Sequence, residues 1–173
     1  NWGYTESVLV AGDLVLCTPG GAKGAVAAFD KLTGKVRWQS KDFKDPAHYS
    51  SIVPARINGT AQYVQRTEKS VVGLAAADGK VLWQTSFAGR TAVIPTPIVI
   101  GNSVYIASGY GVGCKLVNID ANNNATDAWV NTTMVNHHGG VILVGEHLYG
   151  FSDKGGWTCQ DTKTGEAVWT NKT

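Results

Sequence analysis

The side chains able to relay a proton, attack an electrophile or hold a metal are few: 4 His, 13 Asp and Glu, and 3 Cys among 173 residues. Their spacing builds no site that announces a chemistry on its own. No GxSxG elbow presents a serine nucleophile, no HExxH pairs two imidazoles on zinc, and no CxxC occurs. Cys17, Cys114 and Cys159 are widely and unequally spaced, so at least one thiol has no partner within the chain, and all three read as small buried hydrophobes. His137 and His138 are adjacent and on a strand would point to opposite faces, which argues against a shared metal. Asp120, Asn122 and Asn124 alternate hard oxygen donors as a Ca²⁺ loop does and form a weak calcium candidate. That loop lacks glycine at the sixth position and has Asn131 where a twelfth-position carboxylate belongs, so an expanded turn is the expectation. Three glycine-rich stretches, 20–24, 109–113 and 154–156, lack GxxxxGK[ST] and open no helix that would aim N–H groups at a phosphate; they read as loops.

The remaining polar and aromatic groups follow a different pattern. Trp2, Tyr4 and Glu6 precede the first of four similar apolar runs, and His48-Tyr49, Arg90 and Asn136-His137-His138 precede the next three. If those runs are the innermost strands of a radial fold, these side chains ring one axial mouth able to stack on, and hydrogen-bond to, a polar ligand. The plainer expectation is a solvated rim whose imidazoles and phenols cap loop carbonyls. Other carboxylates are absorbed by turns: Asp13 and Glu146 follow one kind, Asp30, Asp78, Asp120 and Asp161 lie in another, and turn carboxylates accept from backbone N–H groups. No residue is assigned a catalytic role.

A repeat must position these groups. Four segments end alike, at Trp38, Trp83, Trp129 and Trp169, with spacings of 45, 46 and 40 residues. Two keep the full pattern Asp-x-x-Thr-Gly-x-x-x-Trp, at Asp30 to Trp38 and Asp161 to Trp169. Upstream of each lies an apolar run, a Gly-centred turn and a second apolar run, as in Val8 to Leu16 across Gly12-Asp13, or Ile52 to Val64 across Asn58-Gly59. Such turns tolerate the positive φ that matches strand twist, so each repeat holds two hairpins. A helical reading of 25–38 fails because Thr33-Gly34 interrupts it and the other copies keep no 3.6 period.

Four strands per ~43 residues is the period of a propeller blade. The expected fold is therefore all-β: a β-propeller of four-stranded antiparallel blades, with repeats over about 1–40, 41–86, 87–132 and 133–173. A lone blade is apolar on both faces and must stack on neighbours, and the recurring outer-strand Trp is the expected wedge between blades. Truncating one should cost about 3–5 kcal/mol through the cavity left behind. The four blades read as complete and in phase, with no strand left over to seal a ring. An arc of a seven- or eight-bladed ring is expected, a closed four-bladed domain being the alternative. An open arc would expose two apolar faces and self-associate.

Composition agrees. Val and Ile number 28 against 10 for Leu and Met, and β-branched residues fit pleated strands better than helices. With 16% charged residues and a net charge of +2, the chain has no footprint for nucleic acid or an anionic membrane surface. No apolar run approaches the ~20 residues of a transmembrane helix, and the Asn1 start shows no leader, so a signal has been removed or the chain is a piece of something longer. Sequons at Asn58, Asn124, Asn131 and Asn171 are at chance level for an Asn/Thr-rich β chain.

The docking motifs at Asp30 to Trp38 and Asp161 to Trp169, with the opening Trp2-Gly3-Tyr4 to Gly12-Asp13, resemble the tryptophan-docking repeats of the PQQ-like, quinoprotein-type propellers. The second copy departs with Ala75 for Asp, and the third replaces Thr-Gly by Asn123, Asn124 and Ala125. The resemblance implies a propeller and two branches of function. One comprises BamB-like scaffold proteins; the other comprises quinone-dependent alcohol and sugar dehydrogenases, which hold pyrroloquinoline quinone (PQQ) and Ca²⁺ on the axis and often carry a vicinal Cys-Cys disulfide. No adjacent cysteines occur here, and no catalytic Asp or Ca²⁺ ligand maps onto a motif position. The expected role is an extracytoplasmic binding or scaffold module for a protein or polymer partner, periplasmic or secreted by family resemblance. Part of a PQQ- and Ca²⁺-dependent dehydrogenase is the second reading. A carbohydrate-binding propeller stacking sugars on Trp2, Tyr4 and Tyr49 is the third.

Overall fold

The computed structural model describes residues 3–172. Among them are sixteen strands and no helix: β1 Leu9–Ala11, β2 Leu14–Cys17, β3 Ala27–Asp30, β4 Val36–Gln39; β5 Val53–Ile57, β6 Thr60–Arg66, β7 Ser70–Ala75, β8 Val81–Ser86; β9 Ile98–Ile100, β10 Ser103–Ser108, β11 Gly113–Ile119, β12 Ala125–Asn131; β13 Val141–Val144, β14 His147–Ser152, β15 Gly156–Asp161, β16 Ala167–Asn171. They form four antiparallel four-stranded meanders in chain order, the blades of a β-propeller. The four blades form an open row, an arc of a ring rather than a closed one.

Three hydrophobic clusters hold the row together, one at each junction. Leu16 and Ala28 of blade 1, with Phe43 of the β4–β5 connection, meet Tyr63, Val72 and Leu74 of blade 2. Val64, Val71 and Trp83 meet Val104, Val117 and Ile119 of blade 3. Tyr105, Cys114 and Leu116 meet Met134 and Leu148 of blade 4. Strand alternation generates both faces, because one row of side chains points to the following blade and its neighbour points back. In blade 3 the trailing row is Ile98, Tyr105, Leu116 and Trp129, and the leading row is Val99, Val104, Val117 and Asp127.

Every blade carries a β-bulge at the same place. The register slips between Ala28 and Phe29, Gly73 and Leu74, Leu116 and Val117, and Cys159 and Gln160, so one residue of the outer strand before each Trp goes unpaired. The bulge adds local twist and re-aims the indole. Trp38 then lies on the outer turn of blade 2, its Cζ3 and Cε3 where a Cβ on Gly79 would stand, and Trp129 covers Gly165 of blade 4 in the same way. Trp129 Nε1 also donates to Thr162 O at 3.0 Å.

Trp83 departs from this pattern because the turn ahead of it differs. The outer hairpin of blade 3 gains length as strand, with the added rungs Asn118–Thr126 and Ile119–Ala125, and not as the expanded turn expected from the sequence. The turn itself is tight: Asp120 N–H reaches Asn124 O, where the other turns close one residue later, and Asn123 takes the positive φ of 64°. Without a glycine platform ahead, the Trp83 ring lies over Gly73 of its own blade and donates from Nε1 to Gln62 Oε1 at 2.7 Å. The long hairpin is instead clamped by Asn58, whose Nδ2 donates to Ile119 O at 3.2 Å and Asp120 O at 2.6 Å.

Two charges are buried at the second junction. Lys115, 2% exposed, bonds Thr85 Oγ1 and Ser86 O and pairs with Asp127 at 2.7 Å. Arg66 is fully buried over the Phe87 ring, 4.9 Å from its centroid, and burial without a carboxylate pushes its pKa down to about 10. Cys114 and Cys159 are buried free thiols, as expected, whereas Cys17 is only partly buried.

Candidate functional site

The segments that lead into the first strand of each blade converge. Thr5 before β1, Tyr49 before β5, Ala92 and Ile94 before β9, and His137 and His138 before β13 line one cleft of about 490 Å³. That convergence makes the first strands the inner edge of the arc. Tyr110, from the β10–β11 loop, completes the cleft. A second cleft of about 450 Å³ lies beside it, lined by Tyr4, Pro19, Gly20, Pro46 and His48, and Tyr49 belongs to both.

The structure treats the mouth residues unequally. Tyr49, His137 and His138 share the first cleft; Tyr4, 70% exposed, and His48 face the second. Arg90 is exposed and reaches only the Tyr110 carbonyl, at 3.5 Å. Glu6 turns away, its carboxylate accepting from Thr18 N–H. Asn136 is fully buried and donates to His138 O, Gly140 O and Phe151 O at 3.0–3.1 Å, so it shapes the loop that carries the histidines. Trp2 lies outside the described residues.

The two adjacent histidines do not point to opposite faces. They sit in a loop ahead of β13, where strand alternation does not apply, and their rings stack at 4.0 Å with planes 25° apart. Tyr110 meets His137 edge-on at 4.2 Å from a left-handed backbone, φ 56°. That conformation is costly for a non-glycine residue and marks a place where the surroundings dictate the geometry. Tyr110 was missed in the sequence because its Gly109-Tyr-Gly111 setting reads as a mid-blade loop. The close approach is nevertheless encoded there, since a Cβ on Gly109 would stand 2.8 Å from His137 Cβ.

His48 is held by a bond that fixes its state. Its Nδ1 accepts from Val93 N–H at 2.8 Å, which requires a lone pair on that nitrogen, and burial holds its pKa below the usual value. The first cleft therefore offers phenol hydroxyls, imidazole edges and an aliphatic floor at Ile94 and Ala92. It can stack on and hydrogen-bond to a ligand. Its lining contains no carboxylate, and Ca²⁺ takes several carboxylate and carbonyl oxygens. Asp120 is engaged by its own turn, with Oδ1 accepting from Asn122 and Asn124 N–H and Oδ2 from Asn124 Nδ2, each at 2.8 Å. Among the described residues no three His, Cys, Asp or Glu side chains converge. Among the described residues the donor set does not fit a PQQ–Ca²⁺ centre.

Four-stranded meanders, a Trp after the bulge of each outer strand and lead-in loops gathered at an inner mouth define a β-propeller of the PQQ-like class. A family model described as outer membrane protein assembly factor BamB matches residues 3–171, and the chain belongs to that PQQ-like repeat family. No curated protein sequence matches. Among solved structures the chain is similar to BamB from Moraxella catarrhalis, with a TM-score of 0.64 and 19% identity over 95% of this chain and 47% of that one. It is also similar to the quinohemoprotein alcohol dehydrogenase of Comamonas testosteroni, with a TM-score of 0.67 and 16% identity over 98% of this chain and 35% of that one. The β-propeller domain of Myceliophteria thermophila Cps50 (Swd1) gives a TM-score of 0.71 and 18% identity over 99% of this chain and 56% of that one. The chain thus spans about half the length of the BamB structure and a third of the dehydrogenase.

Proposed function

We propose that this chain is a binding or scaffold module working in an extracytoplasmic compartment, and that its inner cleft takes a side chain or loop of a protein partner. The observation that supports this reading is the convergence of Tyr49, Tyr110, His137 and His138 from three blades on one cleft that has aromatic faces and no carboxylate. Family membership supports the compartment and the class of partner, since the matching model is that of an outer membrane protein assembly factor. Rigid blades present loops that need no rearrangement, and a few aromatic anchors supply most of the affinity of such sites.

The second reading, part of a PQQ-dependent dehydrogenase, rests on the likeness to the alcohol dehydrogenase and on the stacked rings that could cover a planar quinone. A tryptophan-fluorescence titration with PQQ, with and without Ca²⁺, separates the two. The expected outcome is no saturable quenching. A photocrosslinking residue in place of Tyr110 then yields a discrete protein adduct, lost when Tyr49 and His137 are changed to Ala. Saturable, Ca²⁺-dependent quenching overturns the scaffold reading.

A further inference from the structure

One side chain ties blade 2 to blade 3 at the turn between β5 and β6. Asn58 and Gly59 make that turn with φ of 50° and 75°, the left-handed pair that an Asn-Gly hairpin favours. From it Asn58 crosses the middle seam three times. Its N–H donates to Asn102 Oδ1 at 2.8 Å, and its Nδ2 donates to Ile119 O at 3.2 Å and to Asp120 O at 2.6 Å. Asn58 is also the one asparagine in the chain that glycine follows.

That neighbour matters chemically. An asparagine loses its amide when the backbone nitrogen of the next residue attacks its Cγ, and glycine, with no Cβ, opposes the approach least. The bond from Gly59 N to Asn58 Cγ forms as the Cγ–Nδ2 bond breaks, and the Gly59 N–H proton departs with the leaving ammonia. Water then opens the succinimide ring to aspartate or isoaspartate. In the closed seam the leaving group Nδ2 is bonded to two carbonyls and the backbone is pinned on Asn102, so Cγ reaches Gly59 N only after those bonds are given up. The product does not fit back. A carboxylate at position 58 has no hydrogen to donate, and it sets a negative oxygen against the carbonyls of Ile119 and Asp120. Bonds from Asn124 and Asn122 hold the Asp120 carboxyl below its usual range, so that residue is itself ionised.

We propose that Asn58 is a self-modification site coupled to the middle seam: it deamidates when blades 2 and 3 part at this turn, and the carboxylate left behind keeps them apart there. The turn lies at the end of β5 remote from the mouth, so this proposal and the proposed function fail independently.

Ageing the whole chain at mildly alkaline pH, followed by peptide mass mapping, tests it. The peptide holding Asn58 should convert from amide to acid ahead of every other asparagine, as two products, aspartate and isoaspartate. Hydrogen exchange measures the coupling, because the Asn58 N–H is itself bonded across the seam. Asn102→Ala, at an exposed turn position, removes one of the three bonds and should speed both exchange at residue 58 and deamidation about fivefold. Asn58→Asp carries the product and should exchange at that amide about tenfold faster than the parent. Asn58 intact in the aged Asn102→Ala chain, deamidation as fast in the folded chain as in urea, or no faster exchange in Asn58→Asp overturns the proposal.

Discussion

At the scale of single residues, the buried polar groups behave differently according to what compensates them. His48 folds with a neutral Nδ1 accepting from Val93 N–H, and burial lowers its pKa from the usual 6.5. The sign follows: above pH 6.5 both folded and unfolded chains hold this imidazole neutral and its full contribution is present. As pH falls below that value the unfolded chain takes the proton first, and stability drops until the folded pKa is passed. Urea midpoints should therefore fall between neutral and mildly acidic pH, and His48→Gln should flatten that fall. Lys115 is paired only through the partly exposed Asp127, at 2.7 Å. Asp127→Ala strands the buried ammonium on Thr85 and Ser86 and should cost about 3 kcal/mol, whereas Lys115→Met removes the charge and should be near neutral. Urea unfolding of the two variants checks the asymmetry.

At the scale of elements, the outer turn of each blade acts as a seat for the preceding Trp. Gly165 sits at φ +74° with Trp129 Cδ2 and Asn131 Nδ2 each 2.6 Å from its would-be Cβ, so Gly165→Ala must both strain the backbone and lift the ring. The expected loss is about 3 kcal/mol, from roughly 1–2 for the left-handed Ala and a similar amount for overpacking. Gly12→Ala, at φ +59° with open space around it, should cost only the backbone share, about 1 kcal/mol. Thermal unfolding of the two variants separates seat from turn. This layer was legible in sequence as far as periodicity reaches: the Trp spacing and the Gly-centred turns gave sixteen strands in four meanders. The bulge before each Trp was not legible, because the unpaired residues Arg37, Leu82, Ala128 and Val168 share no chemistry. Nor was the third hairpin, where Ala125 and Thr126, which read as part of an expanded turn, pair with Ile119 and Asn118 as ladder rungs instead.

At the scale of the whole molecule, the open row was foreseeable because the repeats are in phase, and the exposed faces of blades 1 and 4 follow from it. The mouth was legible only in part. Counting residues back from each first strand located the segments that converge, but could not say which side chains turn into the cleft and which, like Glu6 and Asn136, turn back to hold loop backbone. Tyr110 arrives from a different hairpin, a juxtaposition that no local pattern carries. The retracted Trp83 has a consequence for how the chain finds this arrangement. Four interchangeable blades could stack in any order, and misassembly between like units is the characteristic failure of repeat proteins. With Trp83 on Gly73 and Gln62, and Asn58 clamped on the long third hairpin, the middle seam uses contacts that neither of the other two repeats. The decay of the motif thus sets the middle seam apart from the two that seat a Trp on an outer-turn glycine.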